Sequence, residues 1–296
     1  MNIQRATLVR KLFLITLLTI AMLPIKLWAA NCDDSNKFYE LAKKAGGKQD
    51  FETASKWLNK SVARCGQYRN FHLLGRSEQK LGRLEQALSA YKQAEVLAVT
   101  DNQRANTVAR YGEVLALNGQ RQEALTMLQA ARSMHSRPVP EWMTVAAKAL
   151  DMSLSEKPMT KDQIKRGLGT QRFGLMATAM AVKPSVDVRL NFEYNSSNLD
   201  DFSRQNITAL AEALSDSSYE GTRFKLVGHS DVRGDTAYNR KLSLSRANTV
   251  KTMLLQINPE LTDRISTAGA GEEQPLYWGD TDEDHRLNRR LQVLIE

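Results

Sequence analysis

Two charged residues near the C-terminus have the types and spacing to do recognition chemistry. Asp231 closes an apolar run, and Arg246 follows fifteen residues later, four after Leu242 and four before Val250. If residues 237–255 are helical, that spacing puts Arg246 on the edge of the apolar stripe. A guanidinium there is partly desolvated and calls for a carboxylate. One cleft offering an anion and a cation suits a zwitterion, a ligand carrying both an ammonium and a carboxylate. A salt bridge with no ligand is the alternative that spacing leaves open. The consecutive His229, Ser230 and Asp231 invite a nucleophilic-triad reading, but triads are assembled from separated elements, and there is no G-x-S-x-G elbow. His229, His285 and the acidic run Asp280–Asp284 could hold a divalent ion, although such runs are ordinarily solvated loop. His72 and His135 lie in the helical repeat, outside any catalytic or metal-binding pattern. The expectation is no catalytic set, no metal and no cofactor.

Elements must position that pair. Residues 186–194 alternate apolar and polar with period two, the mark of a half-buried strand. Leu199, Phe202, Ile207, Leu210, Ala211 and Leu214 trace a helical face. Residues 223–228 predict a second strand, residues 237–255 a helix with Leu242, Val250 and Leu254 inward, and residues 264–268 and 290–295 two more strands. The order β-α-β-α-β-β predicts an α+β domain over 185–296, a mixed sheet with helices on one face.

Six motifs stand in order along this segment: Gly228-His-Ser-Asp231, Tyr238-Asn239, Leu242-Ser243, Arg246-Ala247, Gly269-Ala-Gly271 and Asn288-Arg-Arg290. Together they resemble the OmpA-like peptidoglycan-binding domain, and Phe192-Glu-Tyr-Asn195 resembles the aromatic strand that opens it. Ser230 departs from the threonine and Leu287 from the polar residue usual in the family, and neither touches the charged pair. The resemblance implies a ligand, the free end of meso-diaminopimelate in the peptide stem of peptidoglycan. It assigns Asp231 to the ammonium and Arg246 to the carboxylate, with Asn239, Leu242 and Arg289 supporting the pocket. Nothing upstream resembles the membrane β-barrel of the namesake porin.

Upstream, residues 33–152 repeat. A small residue after a bulky one occurs at Ala42, Gly75 and Gly112. Twelve residues on come Ala54, Ala87 and Ala124; then Leu58, Tyr91 and Leu128; then Ser61, Ala94 and Ala131. A fourth copy opens at Trp142 with Val145-Ala146, and the small positions fall 33, 37 and 34 residues apart. The spacing resembles the tetratricopeptide repeat, in which small residues let paired helices approach and large ones fill the groove between units. No copy has the terminal proline of that family, and the first has Ala for Gly. The resemblance implies an all-α solenoid over 31–152, closed by a helix near Glu141–Met152, with a groove for a protein partner. Tyr39, Trp57, Phe71 and Tyr91 read mainly as core. Cys32 precedes the first helix of the first unit and Cys65 ends its second, neighbouring points in a helix pair, so a disulfide is expected in an oxidising compartment.

The compartment follows from the N-terminus. Arg5, Arg10 and Lys11 precede twelve uncharged residues, Leu12–Leu23, too short to cross a bilayer and of signal-peptide length. Residues 1–30 therefore predict a signal peptide, with an uncleaved anchor as the alternative; Ala29 and Asn31 do not suit a lipobox at Cys32. The 296-residue chain has 41 Lys+Arg, 33 Asp+Glu and 2 Cys. Of its +8 charge, +4 lies in residues 1–30 and +4 between Glu156 and Lys183, leaving about zero elsewhere, so no folded face is charged as a nucleic-acid binder requires. Residues 153–184 predict a basic linker, a solvated tether with a short helix after Thr160. The combined expectation is a non-enzymatic adaptor of a Gram-negative envelope, periplasmic and attached to the wall, with outer-membrane association left open. It would bind peptidoglycan through its C-terminal domain and another envelope protein through its repeats. A wall-targeted hydrolase or hydrolase activator, and a self-associating structural linker, are the competing readings.

Overall fold

A computed structural model describes residues 25–169, 185–192 and 199–296, with side chains from Cys32 onward. The signal segment up to Leu23, the linker bases Arg172 and Lys183, and the strand motif's Glu193, Tyr194 and Asn195 lie outside the described residues. The chain divides into two compact units meeting in sequence at Leu97 and Ala98.

The first unit holds helices α1 (Ile25–Gly47), α2 (Phe51–Arg64), α3 (Tyr68–Lys80) and α4 (Leu84–Val96), joined by three-residue turns into hairpins. Ala42, Leu58, Leu74 and Ala90 form its core, with Tyr39, Trp57, Val62 and Leu73 packed around them. The small-residue positions behave as close-packing points. A Cβ added at Gly75 would lie 2.7 Å from the Tyr91 ring, so only glycine admits that ring, which is wholly buried. Of the four aromatics read as core, Tyr91 is; Tyr39, Trp57 and Phe71 are half-buried. Cys32 and Cys65 form the expected disulfide, with Cα atoms 5.1 Å apart. Beside it, the Asn70 amide donates to Ser35 Oγ at 2.9 Å, Ser61 Oγ at 3.0 Å and the Cys65 carbonyl at 3.1 Å, satisfying groups that the hairpin junction buries.

The second unit opens with α5 (Asp101–Leu117), α6 (Arg121–Met134), α7 (Glu141–Leu154) and α8 (Lys161–Leu168). Gly112 repeats the close approach, its absent Cβ 3.1 Å from the Ala124 carbonyl. On α7 the expected register slips by one: Val145 is exposed and Ala146 half-buried, while Met143, Ala147 and Leu150 make the buried stripe. Within the connector, the described helix is not a solvated tether. Thr160 caps α8 as expected, in a capping box with Gln163, but Ile164 and Leu168 are wholly buried, so this helix is core. Its bases are paired rather than free. Lys161 and Lys165 lie 3.0 and 2.7 Å from Asp216, and Arg166 reaches Glu123 at 3.5 Å. Hydrogen bonds from Lys165, Ser218 and Lys161 hold the Asp216 carboxyl well below the usual carboxylate range.

The rest of the unit is β1 (Ser185–Arg189), α9 (Asp201–Leu214), β2 (Phe224–His229), α10 (Thr236–Ile257), β3 (Ile265–Gly271), α11 (Asp282–Asn288) and β4 (Arg290–Ile295). The strands lie in the order β1-β4-β2-β3; β4 is antiparallel to β1 and β2, and β2 is parallel to β3 across α10. The expected β-α-β-α-β-β order lacks α11. Its seven residues are too few for a hydrophobic period, and its signal is a capping box between Thr281 and Asp284. Part of the acidic run read as a loop is therefore this helix's first turn, where carboxylates meet the positive end of the dipole.

Helices on one face is half the arrangement. On that face Val186, Val188, Leu226, Leu291 and Val293 meet Ile164, Leu168, Ile207, Leu210, Val250 and Leu254. Strand alternation sends Asp187, Arg189, Arg290 and Gln292 to the other face, and that face is covered too. Asp151 on α7 ion-pairs with Arg189, and Tyr277 donates its hydroxyl to Asp151 at 2.9 Å. Arg290 meets Asp187 at 3.1 Å, and Arg132 on α6 stacks over the Tyr277 ring at 4.9 Å. Lys148 on α7 pairs with Asp284 at 2.7 Å. This layer makes α6, α7 and the sheet parts of one compact unit.

Candidate functional site

The site is built where α10 lies across the ends of β2 and β3. Gly228 and Gly269 are register partners on those strands. A Cβ at Gly228 would sit 2.1 Å from the Ser243 carbonyl oxygen, and one at Gly269 would sit 2.5 Å from that of Arg240. Neither clash is with a movable side chain, so the glycine pair lets the helix backbone rest directly on the strands. Ser243 Oγ then accepts from Gly271 N at 2.9 Å, and the Asp235 side chain caps α10 through Tyr238 N at 2.9 Å. These contacts hold the Ser230–Asp235 turn against the N-terminal half of α10, which carries Asn239, Leu242 and Arg246.

Asp231 is buried, 7% exposed, and its carboxylate is crowded with donors. Oδ1 accepts from Arg233 N and Nε at 3.1 Å each; Oδ2 accepts from Arg233 Nη2 at 2.9 Å and Arg289 Nη1 at 2.7 Å. Burial alone would raise its pKa, but hydrogen bonds from Arg233 and Arg289 outweigh burial and hold it at about 2. The group is an anion throughout the physiological range.

Arg246 is equally buried at 7%. Its guanidinium stacks over the Phe192 ring at 4.7 Å, and Nε is buried without a hydrogen-bond partner. Among the described residues no carboxylate lies within ion-pair distance of it. Burial depresses its pKa, the Arg289 charge adds to that, and the Asp231 carboxylate opposes both. The expected pair thus shares one electrostatic neighbourhood without forming a salt bridge: Asp231 is saturated by two other arginines, and Arg246 is left on an aromatic ring.

The supporting residues divide. Asn239 is buried, and its amide donates to the Arg233 carbonyl at 3.0 Å, to the Asp231 carbonyl at 3.5 Å and to Glu272. Arg289 binds Asp231 directly. Leu242 is half-buried one turn before Arg246. The three residues Asn288, Arg289 and Arg290 separate into three tasks. Asn288 accepts from Leu276 N at 2.8 Å and Tyr277 N at 3.0 Å, and donates to the Tyr277 carbonyl at 2.8 Å. Arg289 turns to the site, and Arg290 enters the layer on the other sheet face.

Three contributors escaped the sequence reading. Arg233 is recoverable as the second residue after an aspartate in a turn. Phe192 belongs to the opening strand motif, but its place under Arg246 is tertiary. Glu272, directly after Gly271, had no signal. His229 and Asp231, adjacent but for Ser230, face different surroundings: the imidazole lies among Arg290 and Gln292. The three consecutive residues form no relay. His285 lies 3.1 Å from the exposed Asp280, and no group of three or more His, Cys, Asp or Glu side chains is gathered among the described residues. No described helix is long and apolar enough to cross a membrane.

Residues 191–289 match the OmpA family. Over 111 residues the chain is 35% identical to the outer membrane protein Omp38 of Acinetobacter baumannii, covering 38% of this chain and 31% of that protein. Over 105 residues it is 31% identical to the peptidoglycan-associated lipoprotein of Legionella pneumophila, covering 36% and 58%. The crystal structure of the peptidoglycan-associated lipoprotein from Burkholderia pseudomallei overlays on 40% of this chain and 92% of that one, with 22% identity and a TM-score of 0.32. The chain spans about a third of the length of Omp38 and of the Pseudomonas porins it matches. The C-terminal part of the protein is an OmpA-like domain, with a four-stranded mixed sheet and homologues among outer-membrane and wall-associated envelope proteins, preceded by a mostly helical region.

Proposed function

We propose that the protein is an exported adaptor of the Gram-negative envelope, binding peptidoglycan non-covalently through the Asp231–Arg246 site and a second envelope protein through its helix pairs. The observation that carries this reading is Arg246. A buried guanidinium with an unpartnered Nε and, among the described residues, no carboxylate within ion-pair distance is costly unless something compensates it. A ligand carboxylate does so, through the paired donors that arginine presents. Asp231, ionised a short way off, supplies the matching anion for an ammonium. Both groups together describe the free end of meso-diaminopimelate, and the match of residues 191–289 to the OmpA family, with a relative named for its association with peptidoglycan, supports that choice. The helix pairs, read as tetratricopeptide repeats, would present the partner groove. Wall binding would then raise the local concentration of whatever the repeats hold.

The test is co-sedimentation of the whole protein with insoluble peptidoglycan, beside Asp231→Asn and Arg246→Ala, with folding checked by circular dichroism. The parent should pellet and both folded variants should stay in the supernatant. A folded parent that stays in the supernatant makes the charged residues structural and removes the wall-anchoring reading. Release of soluble glycan or stem peptide in the same tubes would favour a hydrolase instead.

A further inference from the structure

Asp231 carries more donors than a resting ligand site needs. Its two oxygens accept four hydrogen bonds, three from Arg233 and one from Arg289. A carboxylate offers about four acceptor positions, so an incoming ammonium finds none open and one cation must leave. The two arginines are not equally placed to go. Arg289 follows Asn288, whose side chain is locked into the 276–277 backbone, and its own side chain is 34% exposed. The Arg233 side chain is 56% exposed and stands on the turn itself. It also has somewhere to go. Its Nη1 is already 3.8 Å from the fully exposed Asp282 carboxylate, and Asp280 lies within electrostatic reach.

We propose that Arg233 is an internal competitor for the ammonium position at Asp231, displaced onto Asp282 and Asp280 when a ligand binds, and that it thereby sets the site's affinity and selectivity. The inference rests on the reading of the site given above. Its physical content is a threshold. A single exposed donor does not repay breaking a two-pronged guanidinium–carboxylate pair. A ligand whose ammonium is held in place by a second contact, its carboxylate on Arg246, does. The site therefore rejects simple amines and favours a fixed zwitterion. The landing carboxylates lower the cost of displacement because the guanidinium passes from one anion to another.

The experiment is calorimetric titration of the whole protein with the tripeptide L-alanyl-γ-D-glutamyl-meso-diaminopimelate, comparing the parent with Arg233→Gln, Asp231→Asn and the double variant Asp280→Asn/Asp282→Asn. Arg233→Gln should bind about threefold to tenfold more tightly, the scale of a partly exposed ion pair removed from the competition. The double variant, altered only at exposed positions, should bind about twofold to threefold more weakly because the landing place is gone. Binding by the parent that is abolished in Asp231→Asn but unchanged or weakened in Arg233→Gln overturns the competitor and leaves the site standing. Absence of binding in both the parent and Arg233→Gln overturns the site reading, and the competitor with it.

Discussion

Replacing Asp151 by alanine tests whether α7 and the OmpA-like sheet are one folding unit. Its side chain is 3% exposed and that of its partner Arg189 is 8% exposed, so removal leaves a buried guanidinium without its nearest anion. Loss of one member of such a pair costs about 3–5 kcal/mol. Asp187 also acts on Arg189 but is shared with Arg290, so it softens the loss without cancelling it. Tyr277 loses its acceptor as well, worth about 1 kcal/mol. The sum is about 4 kcal/mol, a large part of the roughly 5–15 kcal/mol that holds a typical domain. The assay is urea unfolding followed by Trp142 and Trp278, both in the second unit, with Trp28 and Trp57 replaced by Phe. With a urea slope of about 2 kcal/mol per molar the midpoint should fall by about 2 M. Asp151→Leu/Arg189→Met, which removes both charges, should recover most of it. A single-variant drop below about 1 kcal/mol, or separate transitions for the two tryptophans in the parent, would refute the shared unit.

Other outcomes follow from single contacts. His229 is buried and neutral, with no hydrogen-bond partner for either ring nitrogen among the described residues: burial, then repulsion from Arg290, push its pKa down to about 3. The unfolded chain takes up this proton near pH 6.5, so the contribution is complete above that pH and is lost toward pH 3, at about 1.4 kcal/mol per unit. Urea midpoints should therefore fall between pH 6.5 and 5 in the parent and flatten in His229→Gln; parallel curves would exclude the imidazole. Gly228→Ala drives a Cβ into the Ser243 carbonyl and should cost about 3 kcal/mol or more while displacing Arg246 from the turn. Peptidoglycan binding retained at parental strength in that variant would show that helix placement does not govern the site. Cys32→Ser/Cys65→Ser opens a 33-residue loop and should lower the stability of the first unit by about 4 kcal/mol in the chain-entropy model, with no change in the Trp142 and Trp278 transition.

The chain's linear pattern contains everything that is local in origin. Caps and turns at Thr160, Asp200, Asp235 and Thr281 act within three residues, so α8 and the main helices of the OmpA-like domain are legible where their signals are read. The small residues at 42, 75 and 112 announce close helix contacts because a methyl group at Ala42, and no side chain at Gly75 and Gly112, lets the neighbour approach. The motif residues around Asp231 and Arg246 mark the site for the same reason: Gly228, Ser243 and Gly269 encode one helix crossing. What sequence left undecided depends on partners far along the chain. Asp187, Arg189 and Arg290 read as the solvent side of a strand, since isolated charges ordinarily face water. They are buried because Asp151 and Tyr277 arrive from elsewhere to satisfy them. Likewise Asp231 and Arg246 carry complementary charges in sequence, yet space assigns one to Arg233 and Arg289 and the other to Phe192. Coulomb attraction names candidates; which of them meet is settled by backbone geometry and by which groups lose water together.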